Sequence, residues 1–121
     1  MKQTEKANVY TLLKKNLPSV DWQRIENLAG TGVPDVNGCY NGTEFWIENK
    51  VARSGSFEIR PDQVAWLTRR FNAGGKVFVL VREGQTLSMY QPDGRGGLTI
   101  IWADKMPIDY EHLLHTILHT D

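Results

Sequence analysis

The chain has 121 residues, of which 40% are apolar and 23% are charged, a composition typical of one globular domain and unlike that of a disordered chain. The single cysteine, Cys39, excludes an intramolecular disulfide, and nothing in the sequence indicates an oxidising compartment or a thiolate zinc site. Neither an 18-residue apolar stretch nor an apolar N-terminal leader is visible, so we expect a cytoplasmic protein that does not enter a membrane.

The formal net charge is zero, but the basic residues are concentrated in the middle of the chain. Residues 50–82 carry seven basic and two acidic side chains, a net charge of +5, whereas residues 1–49 carry −1 and residues 83–121 carry −4. A basic segment next to carboxylates suits a phosphodiester substrate, although a solvated helix face would show the same charge.

The hydrophobic periodicity and the turn residues predict nine elements in chain order. Helices are predicted over residues 4–17, 60–71 and 110–119, and strands over residues 22–28, 33–39, 45–51, 76–82, 86–90 and 98–102. Residues 76–82 are almost wholly apolar, which indicates a central, buried strand. The order αβββαβ followed by ββα predicts a single α/β domain over residues 1–121.

A tight turn is predicted at Asn41-Gly42, because both central positions of a two-residue hairpin favour positive φ. The hairpin folds the strand that carries Asp35 back beside the strand that carries Glu48. Since side chains alternate along a strand, Glu48 and Lys50 share one face with Trp46. The opposite face carries Phe45, Ile47 and Asn49, and this largely apolar side is expected to pack on the core. We therefore expect Asp35, Glu48 and Lys50 to lie together.

This group of side chains has the composition of a metal-assisted hydrolase site. Two neighbouring carboxylates repel each other unless a cation lies between them, and oxygen ligands suit Mg²⁺ or Mn²⁺. A lysine two residues after Glu48 could orient or deprotonate a metal-bound water, or stabilise the charge that develops on a phosphoryl group. From the residues alone, an incidental salt-bridged strand pair remains the alternative.

The spacing of these residues resembles a known nuclease signature. Pro34-Asp35, twelve further residues and then Glu48-Asn49-Lys50 resemble the PD-(D/E)XK pattern. Gly32-Val33 before the motif and Gln63 at the start of the next helix look more narrowly like the VRR-NUC branch, which includes small stand-alone phage-type members. The resemblance covers residues 4–82 and implies a restriction-endonuclease-like αβββαβ core with a mixed central sheet. Residues 83–121 would then form a C-terminal ββα extension.

The resemblance also implies a role for each matching residue. Asp35 and Glu48 would bind the metal, the backbone carbonyl of Asn49 would complete its inner shell, Lys50 would be the catalytic lysine, and Gln63 would support the lysine or the substrate. Members of the superfamily usually carry an apolar residue at the position of Asn49. We therefore expect the Asn49 side chain to need a buried partner.

A third acidic ligand could come from Glu5 or from Glu26. Glu5 continues the apolar stripe of the first helix with Val9 and Leu12, where a carboxylate is costly unless a cation compensates it. The superfamily resemblance also places an acid on its first helix. Glu26 lies close to Arg24 on the same strand face, where an ion pair would satisfy it. We favour Glu5, while an acid in the first turn of a helix can also serve the helix dipole alone.

The resemblance implies an endodeoxyribonuclease that depends on Mg²⁺ or Mn²⁺, needs no organic cofactor, and works in a bacterium or a phage-infected host cell. Its substrate would be branched DNA, such as a four-way Holliday junction. It would act as a homodimer. The side chains expected to contact DNA phosphates are Arg53, Arg60, Arg69 and Arg70. The alternatives are a catalytically inactive nuclease-fold module that binds DNA or protein, and a metal-independent α/β domain of a protein assembly.

Overall fold

The computed structural model describes residues 5–26 and 31–120, with the backbone alone for residues 5–8. Within these residues the chain forms three helices and six strands in the predicted order. The elements are α1 (Glu5–Asn16), β1 (Asp21–Arg24), β2 (Val36–Tyr40), β3 (Thr43–Val51), α2 (Pro61–Asn72), β4 (Val77–Glu83), β5 (Thr86–Pro92), β6 (Leu98–Lys105) and α3 (Tyr110–His119).

The six strands form one sheet in the order in which they occur along the chain. Strands β3 and β4 are parallel and are connected through α2, and every other neighbouring pair is antiparallel. The sheet is therefore mixed, and the predicted α/β class, with an αβββαβ core and a ββα extension, is confirmed. Among the described helices, none is both long enough and apolar enough to cross a membrane.

Helices cover both faces of the sheet. Leu13 of α1 and Leu113 of α3 belong to one apolar cluster with Phe45 and Ile47 of β3. On the other face, Trp66 and Leu67 of α2 pack against Val77, Val79 and Val81 of β4. All five residues from Val77 to Val81 are buried, which confirms that β4 is a central strand. The face that carries Glu48 and Lys50 is thus a second buried layer, which the apolar run of β4 had indicated and the alternation along β3 had not.

The first two strands differ from their predicted bounds. The predicted second strand began at residue 33, but β2 begins at Val36, because Pro34 has no N–H to donate to a strand ladder. Strand β1 ends at Arg24, although the N–H of Ile25 still donates to the carbonyl of Asp35 at 2.8 Å. The end of the predicted first strand, residues 27–28, lies outside the described residues.

The hairpin at Asn41-Gly42 is confirmed and sets the register between β2 and β3. Tyr40 pairs with Thr43, so the loop has two residues, with φ of 49° at Asn41 and 81° at Gly42. Positive φ at both positions matches the right-handed twist of the flanking strands. At the other end of this ladder Val36 pairs with Ile47, which places Asp35 at the boundary of the paired region.

Gly32 connects the loop before β2 directly to the start of α2. It is buried with a φ of +72°, and a Cβ at this position would lie 2.3 Å from the carbonyl oxygen of Asp62. That atom belongs to the backbone of the first helical turn and cannot move aside as a flexible side chain would. Glycine is therefore required here by both conformation and space.

We expect Gly32→Ala to destabilise the fold by about 2–4 kcal/mol, the sum of the left-handed backbone strain and the steric clash. Gly42→Ala is the matched control, because Gly42 has a similar φ of 81° but an added Cβ there would have no atom of the described residues within 4 Å. The control should lose only about 1–2 kcal/mol. Urea unfolding of the two variants checks this difference, and equal losses would show that Gly32 does not pack against α2.

Candidate active site

Asp35 and Glu48 lie opposite each other at the end of the β2–β3 ladder. Val36 pairs with Ile47, so one further step of the same register places Asp35 across from Glu48. Directly opposed residues of an antiparallel pair project from the same face of a sheet. The Asp35 carboxylate also accepts the N–H of Asn49 on Oδ1, at 2.9 Å. The structure thus brings the two predicted carboxylates together on one face.

Pro34 leaves the backbone carbonyl of Asn49 without a ladder donor from β2. The N–H of Trp46 donates to the carbonyl of Lys76, just before β4, at 3.0 Å, and the N–H of Ala52 donates to the carbonyl of Arg82 in β4 at 2.9 Å. By alternation, the N–H and the carbonyl of Asn49 face β2. Its partner in the register would be Pro34, which has no N–H. The carbonyl therefore points towards the Asp35 side. Pro34 was not among the predicted site residues. Its role could have been predicted by counting the strand register from the Asn41-Gly42 turn, which pairs Pro34 with Asn49.

Lys50 is held between Glu48 and the first turn of α2. Its Nζ donates to Oε1 of Gln63 at 2.9 Å and lies 3.6 Å from Oε2 of Glu48. The Lys50 side chain is 13% exposed, Glu48 is 2% exposed, and Gln63 is 4% exposed. A carboxylate this deeply buried is stable only when cationic or hydrogen-bonding groups compensate its charge. The predicted grouping of Glu48, Lys50 and Gln63 is therefore present as a compact polar cluster.

Gln63 is itself fixed by the start of α2. Its Oε1 accepts a second hydrogen bond, from the N–H of Arg60, at 3.0 Å. This is the side-chain half of a capping box, in which a glutamine at the third helical position satisfies the N–H of the residue before the helix. The side-chain amide oxygen of Gln63 thus links the start of α2 to Lys50.

The Asn49 side chain departs from its expected environment. Asn49 is 2% exposed, and within the described part of the chain its Oδ1 is buried without a hydrogen-bond partner. The predicted buried partner for this atom is therefore not found. A buried acceptor without a donor costs about 1–3 kcal/mol, so the position favours an apolar side chain on stability grounds.

The third acidic ligand stays a prediction. The side chain of Glu5 lies outside the described residues, although its backbone begins α1. Glu26 is exposed just after β1, and the ion pair expected between it and Arg24 is not among the ion pairs of the described residues. The same described residues contain no group of three His, Cys, Asp or Glu side chains positioned to hold a metal ion. The two opposed carboxylates and the Asn49 carbonyl are the oxygen atoms that suit a hard divalent cation here.

Arg60 is exposed and immediately precedes α2. Its guanidinium pairs with Asp62 at 3.0 Å, which raises the pKa of Arg60 through the hydrogen bond and the opposite charge, with a further contribution from the charge of Glu48. The hydrogen bond from Arg60 in turn lowers the pKa of Asp62. The electrostatic influence of Glu48 therefore extends to this exposed arginine.

The other predicted DNA-contacting arginines lie in the loop after β3 and in the last turn of α2. Arg53 is exposed in the turn that follows β3. Arg69 and Arg70 are in the last turn of α2, six and seven residues beyond Gln63, which corresponds to roughly 10 Å along the helix. Arg69 is exposed, whereas the Arg70 guanidinium stacks on the ring of Trp66 at 4.7 Å. Arg60 is joined to the cluster by its backbone N–H and Arg53 follows Lys50 by three residues, whereas Arg69 and Arg70 lie further along α2.

Comparison with known proteins supports the fold. Neither the protein-family models nor the curated proteins gave a match. Among solved structures the chain is similar to Hjc of the archaeal hyperthermophile Archaeoglobus fulgidus, a Holliday junction resolvase, with a TM-score of 0.55 and 13% identity. The match covers 83% of this chain and 86% of that chain. At this identity the likeness shows a shared restriction-endonuclease-like α/β fold, and the VRR-NUC branch stays a prediction.

We expect Gln63→Met to lower the free energy of unfolding by about 2 kcal/mol, because two partly buried donors, Lys50 Nζ and the N–H of Arg60, lose their shared acceptor. Gln23→Met, at an exposed position of β1, is the matched control and should change stability by less than about 0.5 kcal/mol. Urea unfolding measures both. Amide hydrogen exchange should also become faster at Arg60 in Gln63→Met alone. Unchanged exchange at Arg60 would contradict the hydrogen bond by which Gln63 caps the start of α2.

Proposed function

We propose that the protein is a metal-dependent endonuclease that hydrolyses phosphodiester bonds of branched DNA, such as a four-way junction. The observation that carries this proposal is the placement of Asp35 opposite Glu48, with Lys50 Nζ at 3.6 Å from Glu48. The fold shared with a Holliday junction resolvase supports the substrate class. Homodimerisation is part of the proposal, because a chain of 121 residues offers little surface to hold a DNA branch alone.

The residues present fit a hard divalent cation. Asp35, Glu48 and the carbonyl of Asn49 would hold Mg²⁺ or Mn²⁺, with Glu5 proposed as a further ligand directly or through water. All of these donors are oxygen atoms, which such ions prefer, and two opposed carboxylates repel each other without a cation between them. When bound, the ion would supply Lewis-acid stabilisation and an acidified water.

Lys50 would act on the phosphate itself. Its ammonium is oriented by Gln63 Oε1 and by Glu48, and an ammonium with its stem buried keeps its position while substrate binds. There it would donate to a non-bridging phosphate oxygen and stabilise the negative charge that develops on that oxygen in the phosphorane-like transition state. Gln63 is a positioning residue in this account, since it acts through the lysine.

The principal alternative, a nuclease fold that only binds DNA or protein, is less well supported by the site. A binding module gains nothing from a buried carboxylate, which costs free energy on folding unless it is compensated. The buried cluster of Glu48, Lys50 and Gln63 therefore favours catalysis.

We expect Asp35→Asn and Glu48→Gln each to reduce cleavage of a labelled four-way junction by at least about 10²-fold in Mg²⁺, because each removes one of two metal-binding carboxylates. The matched control is Glu44→Gln, which neutralises an exposed acid of the same strand and should cleave like the wild type. Products are read on denaturing gels beside duplex, nicked and single-stranded DNA. Full activity in Asp35→Asn would contradict the proposed site.

We also expect DNA affinity to fall steeply with salt, because each phosphate that is neutralised releases condensed counterion. Arg53→Gln should lower the slope of log Kd against log salt by roughly one, while Arg24→Gln on the exposed edge strand β1 should leave it unchanged. Fluorescence anisotropy from low to moderate salt measures the slope. Affinity that does not vary with salt would show that the basic segment is only a solvated surface.

A further inference from the structure

A cavity of about 210 Å³ opens on the same face of the sheet as Glu48 and Lys50. Its walls come from the ends of β3 and β4, the start of β5 and the loop after β3. The volume is below the roughly 300–1,000 Å³ of sites for drug-sized ligands, and it suits a single planar ring system. None of the residues assigned to catalysis above lines it.

The position of the cavity relates it directly to the catalytic lysine. Lys50 pairs with Val81 of β4, and Val81 pairs with Ser88 of β5, so the three residues form one row across the sheet. Two strand spacings separate Lys50 from Ser88, which is roughly 10 Å. Val81 and Ser88 both line the cavity. A phosphate held at Lys50 would therefore leave its neighbouring nucleotide within reach of this cavity.

The cavity walls combine aromatic rings with hydroxyl groups. Phe57 packs on Tyr90 with ring centroids 5.5 Å apart and an angle of 52° between the ring planes. The hydroxyls of Thr86, Ser88 and Tyr90 make no hydrogen bond to another residue in the part of the chain that is described. Aromatic rings offer a stacking surface to a base, and hydroxyls can donate to or accept from its edge.

The negative charge of Glu83 favours the base of a nucleotide over its phosphate in this cavity. Its Oε2 accepts the N–H of Gly55 at 3.0 Å, which places the carboxylate at the cavity wall. This negative charge opposes a phosphate group. It can, however, accept a hydrogen bond from an exocyclic amino group, as acidic side chains do from cytosine N4.

We propose that this cavity binds an unpaired nucleobase with an exocyclic amino group, from the nucleotide next to the scissile phosphate at a DNA branch point. The inference rests on the proposed nuclease function and extends it to the structure of the substrate. Stacking on Phe57 and Tyr90 and hydrogen bonds to the three hydroxyls and Glu83 would offset the cost of keeping the base out of the helix. Branched DNA supplies unpaired bases at a lower cost than intact duplex does.

The test uses three four-way junctions that differ at one unpaired nucleotide beside the branch point: cytosine, thymine or an abasic analogue. Dissociation constants are measured by fluorescence anisotropy with Ca²⁺ in place of Mg²⁺. We expect cytosine to bind roughly tenfold tighter than the abasic analogue, equivalent to about 1.4 kcal/mol. Thymine has no exocyclic amino group and should bind less tightly than cytosine.

Substitutions of the cavity residues test whether this difference in affinity between the cytosine and the abasic junctions arises in the cavity. Tyr90→Phe keeps the ring and Ser88→Ala keeps the strand. Together they should clearly reduce the difference between cytosine and the abasic analogue, because two of the three hydroxyls are lost while the stacking rings and Glu83 stay in place. Affinity for the abasic junction should not change. Thr99→Ala, at an exposed position of β6, is the matched control and should keep the full difference.

The outcomes separate this inference from the proposed function. Tight binding to all three junctions with equal affinity would overturn the base cavity and leave the nuclease proposal intact. Equal affinity for cytosine and thymine would overturn the preference for an amino-bearing base. A difference between cytosine and the abasic analogue that is as large in the double variant as in the wild type would overturn the location. Failure to bind any branched DNA would overturn the proposed function itself, together with the inference that rests on it.

Discussion

The buried carboxylate of Glu48 is the constraint on which the other features of the site depend. At 2% exposure, it lies under α2 in a layer that is otherwise largely apolar. Lys50 compensates its charge, and Gln63 holds the lysine. Gln63 is held in turn by the N–H of Arg60 at the start of α2. The position of that helix start depends on the close approach of Gly32, so local backbone packing fixes the electrostatics of the site.

The register of the β2–β3 hairpin determines which groups meet. The two-residue turn at Asn41-Gly42 pairs Val36 with Ile47 and so aligns Asp35 with Glu48. A slip of one residue would move the Asp35 side chain to the opposite face of the sheet. The same register places Pro34 across from Asn49. Because proline has no N–H, the backbone carbonyl of Asn49 faces the carboxylates without a hydrogen-bond donor from this segment. Two features of the signature, the proline and the aspartate, thus have separate physical roles.

Much of this arrangement could be predicted from the sequence because it depends on local rules. Alternation along β3, the Asn41-Gly42 turn and the Pro61 helix start predicted the element order and the grouping of Glu48 with Lys50. Alternation alone does not show whether a helix covers the second face of a sheet. The burial of Glu48 was therefore missed, as was the contact of Gly32 with the backbone of Asp62, which joins distant segments of the chain.

The central claim is that Asp35 and Glu48 hold one divalent cation, and paramagnetic NMR tests it most directly. Substoichiometric Mn²⁺, added to the protein without DNA, broadens the amide signals nearest to the bound ion. The account predicts that the signals of Asp35, Glu48 and Asn49 broaden first and that Glu48→Gln abolishes the effect. Broadening that begins elsewhere, such as at the stacked pair His115 and His119 on α3, would contradict it. So would the same broadening of these three signals in Glu48→Gln.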